Sequence, residues 1–189
     1  MKKLAIALVI AACCCCTGAV IAQDKPPAKT VSEVYDRMTS NAEGEFIGAA
    51  EAMPEEKYNF APSVSMGEFK GVRTFGQQVK HVAAVNYMLA SAILGEKSPV
   101  ELGGENGPDN IKSKAEIVKF AKDSFEYAHK AMKSFTDQNG MELVQSPFGP
   151  NKTSRTSLAM FIIAHPFDHY GQMVEYLRMN GIVPPASRQ

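Results

Sequence analysis

Cysteine is missing from almost the whole chain. All four cysteines occupy consecutive positions, Cys13 to Cys16, close to the N-terminus. A domain that follows them has no structural disulfide, no cysteine nucleophile and no thiolate metal site. Its stability must come from a packed core, and the remaining chain is long enough to bury one as a single domain.

An excess of charge of either sign is also absent. Lys and Arg together number 20, as do Asp and Glu, and no basic block or stripe interrupts the chain. This balance argues against a nucleic-acid partner. No stretch alternates with period two for long enough to predict a strand. A Ser-His-Asp order, a phosphate-binding glycine loop and a Cys–His pair are missing too, which removes three common catalytic designs.

The first 22 residues, MKKLAIALVIAACCCCTGAVIA, have the pattern of a secretory signal peptide. Two lysines precede a long run of apolar and small residues, and a small residue precedes Gln23. Cleavage after Ala22 would leave no integral membrane span and would release an exported protein, periplasmic or extracellular. The segment ending at Cys13 also resembles a lipobox, and processing there would instead anchor the chain through a lipid on Cys13. Both alternatives predict export.

The rest of the chain divides into three parts. Residues 23–29, QDKPPAK, predict a flexible tether. Residues 30–185 carry helical periodicity and form the predicted domain, and residues 186–189 form a short C-terminal tail. Capping-box spacing predicts three of the helix starts, at Thr30, Thr74 and Ser113. The four predicted helices span about residues 30–53, 74–94, 113–139 and 153–180. This pattern predicts an all-α four-helix bundle with long inter-helix loops, which often carry function or cross over.

The last predicted helix contains the stretch HPFDHYGQ, residues 165–172. At 100° per residue, one narrow stripe of this helix holds two aliphatic residues and four polar ones: Leu158, Ile162, His165, His169, Gln172 and Tyr176. Burying an unpaired polar group costs about 1–3 kcal/mol, so a stripe of this kind requires partners. Two histidines at positions i and i+4 point their rings at one location, as helix-borne metal pairs do.

A third histidine is available in the second predicted helix. His81 lies on the flank that also carries Gln78, Val85 and Met88, and this flank can face the last helix of a bundle. Three neutral imidazoles would leave at least one coordination position open for water, as catalytic metal sites do. The alternative interpretation is that the histidines are polar core residues without a metal.

Two segments, FGQQVKHVAAVNYML and HPFDHYGQMVEYLRMNGIVPP, resemble the DinB family of DinB/YfiT-like metal-dependent hydrolases. The family pattern places one histidine in the second helix and an HxxxH pair in the last. The resemblance implies a four-helix bundle with a long crossover and one divalent metal held by His81, His165 and His169. It implies zinc or nickel as the metal, with iron or manganese as further candidates.

Several polar residues near the stripe are candidates for supporting roles. Gln172 and Tyr176 are predicted either to orient a ligating imidazole or a bound water, or to hydrogen-bond a neighbouring helix. Asp168 and Glu175 flank the stripe and are the weak candidates for a catalytic base, because carboxylates at such angles are usually solvated. Glu105, in the loop after the second helix, is interpreted as a solvated loop residue.

Three further positions carry specific expectations. Pro166 removes a backbone hydrogen bond to the Ile162 carbonyl and predicts a kink, which either sets the angle between the two histidine rings or displaces His165. His129, at the edge of the third helix's apolar arc, is interpreted as a partly exposed surface residue. Asn86, near the middle of the second helix's apolar face, is expected to have a buried partner.

These features together predict an exported metal-dependent hydrolase or thiol-dependent transferase acting on a small molecule. Export weakens the thiol-dependent version, because small thiols are mainly a cytoplasmic resource. The alternative is a non-catalytic metal- or ligand-binding helical bundle, since a fold does not fix a function. A homodimer formed through an exposed helix face is compatible with both.

Overall fold

The structure, a computed structural model, describes residues 26–188. The predicted signal peptide and Cys13 lie outside these residues. Four helices make up most of the described chain: α1 (Val31–Ala52), α2 (Phe75–Leu94), α3 (Lys114–Lys133) and α4 (Arg155–Met179). A short antiparallel hairpin, β1 (Leu143–Gln145) and β2 (Lys152–Ser154), precedes α4. The predicted all-α four-helix bundle is confirmed.

Side-chain caps fix the helix starts where the sequence predicted them. The hydroxyl of Thr30 accepts from the amide of Glu33, which caps α1. Complete capping boxes begin α2 at Thr74 and α3 at Ser113. Each cap satisfies amide groups that have no partner inside the helix, so these short polar residues define where the helices begin.

Two sequence predictions about the region between α3 and α4 are wrong. The third helix ends at Lys133 instead of continuing to residue 139. Asn139 donates from its side chain to the Ser134 carbonyl and accepts from the Thr136 amide, so local side-chain bonds replace the helical ones. The strands of the hairpin were not predicted, because three residues per strand are too few for an alternating pattern to be recognised.

The helices pack in the ring order α1–α3–α2–α4, so that each has two neighbours. One core cluster joins the N-terminal halves of α2 and α3 to the C-terminal ends of α1 and α4, and includes Phe46, Phe75 and Phe125. A second cluster joins the C-terminal halves of α2 and α3 to the start of α4. Helices α2 and α3 therefore run parallel, while α4 runs antiparallel to both. Among the helices within residues 26–188, none combines the length and apolarity needed to cross a bilayer.

A parallel α2–α3 pair requires a crossover, and residues 95–113 provide it. Since α2 has 20 residues and is about 30 Å long, this segment must return along the outside of the bundle. Leu102 and Ile111 of the crossover pack on the first core cluster. The buried ammonium group of Lys80 donates to the carbonyls of Pro108 and Ile111, at 2.8 and 3.3 Å. The crossover is thereby fixed against the first half of α2.

Candidate metal centre

Three histidines converge where α2 packs against α4. The ring centroids of His165 and His169 on α4 lie 4.6 Å apart, and those of His81 on α2 lie 5.1 and 4.8 Å from them. One ring nitrogen of each histidine lies within 4.8 Å of the other two. Within residues 26–188, the group that these atoms form contains histidines alone.

The orientation of His169 is set by a buried carboxamide. Its Nδ1 atom lies 2.5 Å from Oε1 of Gln78, and Nε2 of Gln78 donates to Oε1 of Gln172 at 2.9 Å. Because the Gln78 amide nitrogen is directed at Gln172, its oxygen faces His169 and accepts the Nδ1 hydrogen. The neutral ring then presents an unprotonated Nε2 to the centre of the group.

The orientation of His81 is set by the crossover. Its Nδ1 atom donates to the backbone carbonyl of Glu105 at 2.5 Å, which again leaves Nε2 free to bind a ligand. Glycine is required on both sides of that carbonyl. A Cβ atom on Gly107, whose φ is 76°, would lie 2.6 Å from Cβ of Lys80, and a Cβ atom on Gly103 would lie 2.6 Å from the Gly107 backbone. The glycines therefore let the crossover approach α2 closely enough to reach His81.

His165 contributes the third ring nitrogen. Its Nε2 atom lies 3.1 Å from Nε2 of His169, and its Nδ1 atom is buried without a hydrogen-bond partner. Two unprotonated nitrogens at this separation repel each other, so they either share a proton or bind a common cation. Ligands about 2.0–2.1 Å from a tetrahedral ion lie about 3.4 Å apart. The separation and the all-imidazole donor set therefore fit a divalent transition-metal ion.

The environment keeps the three rings neutral. Burial, with repulsion from His169 and His81, lowers the pKa of His165 to about 3, and the nearby Asp168 only partly offsets this. Burial and the neighbouring His81 and Arg73 lower the pKa of His169 to about 4. Burial also lowers the pKa of His81. Neutral imidazoles are the form that binds metals, so the lone pairs are available near pH 7.

Pro166 does not displace His165. Helix α4 continues from residue 155 to residue 179, with the buried proline inside it. Proline lacks the amide hydrogen that would bond the Ile162 carbonyl, but the turn is retained and the two histidine rings stay on one side of α4. Phe161, one turn before His165, packs edge-on against the His165 ring at 5.2 Å between centroids. Of the two alternatives that Pro166 left open, displacement of His165 is excluded, because its ring lies with those of His81 and His169.

A cavity of about 450 Å³ opens beside His81. Its walls are mostly apolar: Ala84, Val85 and Met88 come from α2, Leu102 from the crossover and Phe148 from the turn of the hairpin. Arg73, which lies just before α2, contributes a cationic side chain to the cavity wall. A volume of this size lies within the range of about 300–1,000 Å³ that is typical of small-molecule sites.

With this geometry established, comparison with known proteins identifies the family. The family model of the DinB superfamily matches residues 38–173, which include all three histidines. The chain belongs to the DinB superfamily. A solved structure of a DinB-like protein from Bacillus cereus ATCC 10987 is similar to it, with 18% sequence identity and a TM-score of 0.67. That match covers 82% of this chain and 96% of the other. None of the curated protein sequences matches this chain.

In this DinB-superfamily protein, the other predicted site residues lie further from the histidines. The hydroxyl of Tyr176 donates to the backbone carbonyl of Arg73 at 3.1 Å, on the loop before α2. Gln172 is exposed and reaches His169 only through Gln78. Gln172 is thus bonded to α2, and Tyr176 to the loop before it. Asp168 and Glu175 are exposed.

His129 belongs to a separate polar cluster on the α1–α3 side of the bundle. Its Nδ1 atom lies 2.6 Å from Asp36 and its Nε2 atom 3.1 Å from Glu43, both on α1. The side chain is only 17% exposed, so His129 is a half-buried link between two helices and not a simple surface residue. Asn86 has the buried partner expected of it, because its amide donates to the Ser124 hydroxyl.

Sequence reasoning missed the two groups that orient the ligands. Gln78 shares a flank of α2 with His81, three residues away, and this position could have indicated its role. The Glu105 carbonyl is a backbone group that every residue carries, so the residue type at this position does not indicate its role. The side chain of Glu105 is 92% exposed, as the sequence predicts, while its carbonyl binds His81. The neighbouring glycines were the available signal.

Proposed function

We propose that this protein binds one divalent metal through His81, His165 and His169, and that the site acts on a small molecule as a metal-dependent hydrolase or transferase. The observation that carries the proposal is the position of His81, which belongs both to the histidine group and to the wall of the cavity. A ligand in the cavity would therefore lie beside the metal. Zinc and nickel are among the metals that neutral imidazoles bind well, and the family resemblance favours them.

A metal held there supplies Lewis-acid chemistry, polarising a bound substrate and lowering the pKa of water or of a substrate hydroxyl or thiol. The protein's own groups prepare the site for it. Gln78 and the Glu105 carbonyl hold the Nδ1 hydrogens, so that the facing nitrogens are unprotonated before a ligand arrives. A ligand that displaces water from between the apolar walls would strengthen the charge interactions at the site.

No carboxylate joins the histidine group within residues 26–188, and the candidate bases Asp168 and Glu175 are exposed. Proton transfer would therefore involve solvent or a group on the substrate. Hydrolysis is the better supported outcome, since the predicted export removes the protein from the cytoplasmic supply of small thiols.

The first experiment is metal content by mass spectrometry on protein purified without a histidine tag. We expect about one divalent metal per chain in the parent, and its loss in His81→Ala and in His169→Ala. His129→Ala is the matched control, because this variant also loses one histidine but the residue lies with Asp36 and Glu43. A parent without metal, even after reconstitution, would overturn the proposal.

A second experiment separates catalysis from simple binding. The metal-loaded protein is tested against panels of esters, amides and thiol-acceptor pairs, with His169→Ala as the blank. Turnover that requires both the metal and His169 supports the enzyme. A stably bound metal without turnover of any panel member would instead favour the non-catalytic metal- or ligand-binding bundle.

A further inference from the structure

Arg73 is a cation that the protein has only partly neutralised. Its Nε atom donates to the side-chain oxygen of Asn106 at 3.0 Å, and its Nη2 atom lies 3.6 Å from the carboxylate of Glu105. The Glu105 side chain is 92% exposed, whereas that of Arg73 is 27% exposed. A long ion pair with a solvated carboxylate contributes little to stability. Another anion can therefore replace Glu105 with only a small loss of free energy.

The backbone of Arg73 is held in place by its contacts with α4 and α2. Its backbone carbonyl accepts the hydrogen bond from Tyr176 of α4, and the next residue, Thr74, caps α2. Its charge is close enough to the histidines to lower the pKa of both His81 and His169. The cavity is therefore bounded by the candidate metal on one side and by a guanidinium on another.

Apart from Glu105 and two glycines of the crossover, the rest of the cavity wall is apolar. Val85 and Met88 form the α2 wall, and Leu102 forms the crossover wall. Phe148 extends from the hairpin turn, where it packs against Phe161 at 5.3 Å between ring centroids. An apolar wall of this extent favours a ligand with an apolar body, because burying that body removes hydrocarbon surface from water.

We infer that the ligand of this site is an amphiphilic organic anion, whose carboxylate binds Arg73 and whose apolar body fills the cavity beside His81. This inference names the substrate class for the proposed function. It depends on that function only in placing the ligand's reacting group beside the metal. Arginine suits the carboxylate because its planar guanidinium donates two parallel hydrogen bonds to it. The exposed Glu105 side chain occupies the same guanidinium until the ligand displaces it.

The test is calorimetric titration of the metal-loaded protein with 4-phenylbutyrate and with its uncharged analogue 4-phenylbutanamide. We expect the acid to bind at least about ten-fold more tightly than the amide, since a charge-assisted pair is stronger than a neutral one. Arg73→Gln should remove this preference while leaving the binding of the amide unchanged. Arg178→Gln is the matched control, because it removes the same charge nine residues beyond His169 and should retain the preference.

The apolar body is tested separately. Acetate, butyrate and 4-phenylbutyrate should bind with increasing affinity, by about four-fold for each methylene that becomes buried. Phe148→Ala should weaken 4-phenylbutyrate and leave acetate unchanged. Phe148 is 55% exposed, so this variant is expected to fold.

Two different failures can be told apart. A parent that lacks metal but still prefers the acid through Arg73 would refute the proposed function and keep the ligand class. A metal-loaded parent that binds acid and amide equally, or an Arg73→Gln variant that keeps the preference, would refute the ligand class. The latter result would mean that the carboxylate binds the metal or another group. Metal content of Arg73→Gln is measured in parallel and should equal that of the parent.

Discussion

Gln78 and His169 form the closest side-chain contact at the centre of the bundle, with 2.5 Å between Oε1 and Nδ1. Both residues are buried, and they lie on different helices, α2 and α4. The contact determines which nitrogen of His169 carries the hydrogen, and it links the candidate metal centre to the packing of the two helices. A change in Gln78 should therefore affect metal affinity although Gln78 is not itself a ligand.

Replacing Gln78 by Leu should weaken metal binding by about 10–100-fold, because His169 loses the acceptor that fixes its tautomer and orientation. Competition with a chromophoric chelator measures the affinity. Gln78→Glu keeps an acceptor and should retain most of it. Gln172→Ala removes only the partner of Gln78 and should have a much smaller effect. Equal losses in Gln172→Ala and Gln78→Leu would contradict the assigned role.

Gly107→Ala should both destabilise the protein and weaken metal binding. The new Cβ would lie 2.6 Å from Cβ of Lys80, at a φ of 76°. We expect the free energy of unfolding to fall by about 1–3 kcal/mol. The displaced crossover would also remove the Glu105 carbonyl from His81. Urea denaturation and chelator competition measure the two effects.

Gly104→Ala is the matched control for this substitution, because nothing lies within 4 Å of its added Cβ. Its unfolding free energy should stay within about 0.5 kcal/mol of the parent. If the two alanine variants behaved alike, close packing of the crossover on α2 would not be what positions the carbonyl.

The metal-stripped protein should lose stability as the pH falls from about 6.5 to about 4. An unfolded histidine has a pKa near 6.5, whereas burial lowers the pKa of His165 to about 3 and that of His169 to about 4. Between these values the unfolded chain binds more protons, so acid favours unfolding. Urea midpoints at pH 7.5 and pH 4.5, with a chelator present, measure the loss. His165→Gln should show a smaller loss, and an unchanged pH dependence in that variant would refute the prediction.

His129→Ala should reduce stability without affecting the metal. The variant breaks half-buried contacts to Asp36 and Glu43 that join α3 to α1, and leaves both carboxylates without this partner. We expect a loss of about 1 kcal/mol in the free energy of unfolding, consistent with partly exposed pairs. Thermal unfolding and metal analysis of the same sample check both parts. Loss of metal in this variant would show that the two clusters are coupled.

Much of the fold could be predicted because local chemistry determines it. The hydroxyls of Thr30, Thr74 and Ser113 cap helices through bonds to nearby amides, which do not depend on how the helices pack. The apolar periodicity of the helices can likewise be recognised without tertiary information. The end of α3 could not be predicted in this way. There, hydrogen bonds of the Asn139 side chain replace the helical backbone bonds. A pattern of apolar residues does not indicate which of these two sets of hydrogen bonds forms.

By itself the sequence determined four helices, the caps of three of them, the DinB resemblance and three histidines at spacings that allow them to meet. The tertiary structure decided how those rings are held. The Nδ1 partners of His81 and His169 come from a backbone carbonyl in the crossover and from a carboxamide on another helix. Contacts between residues distant in the chain depend on helix direction and loop path, and the parallel α2–α3 pair brings the crossover across His81. That arrangement follows from packing the whole core and not from any local stretch of residues.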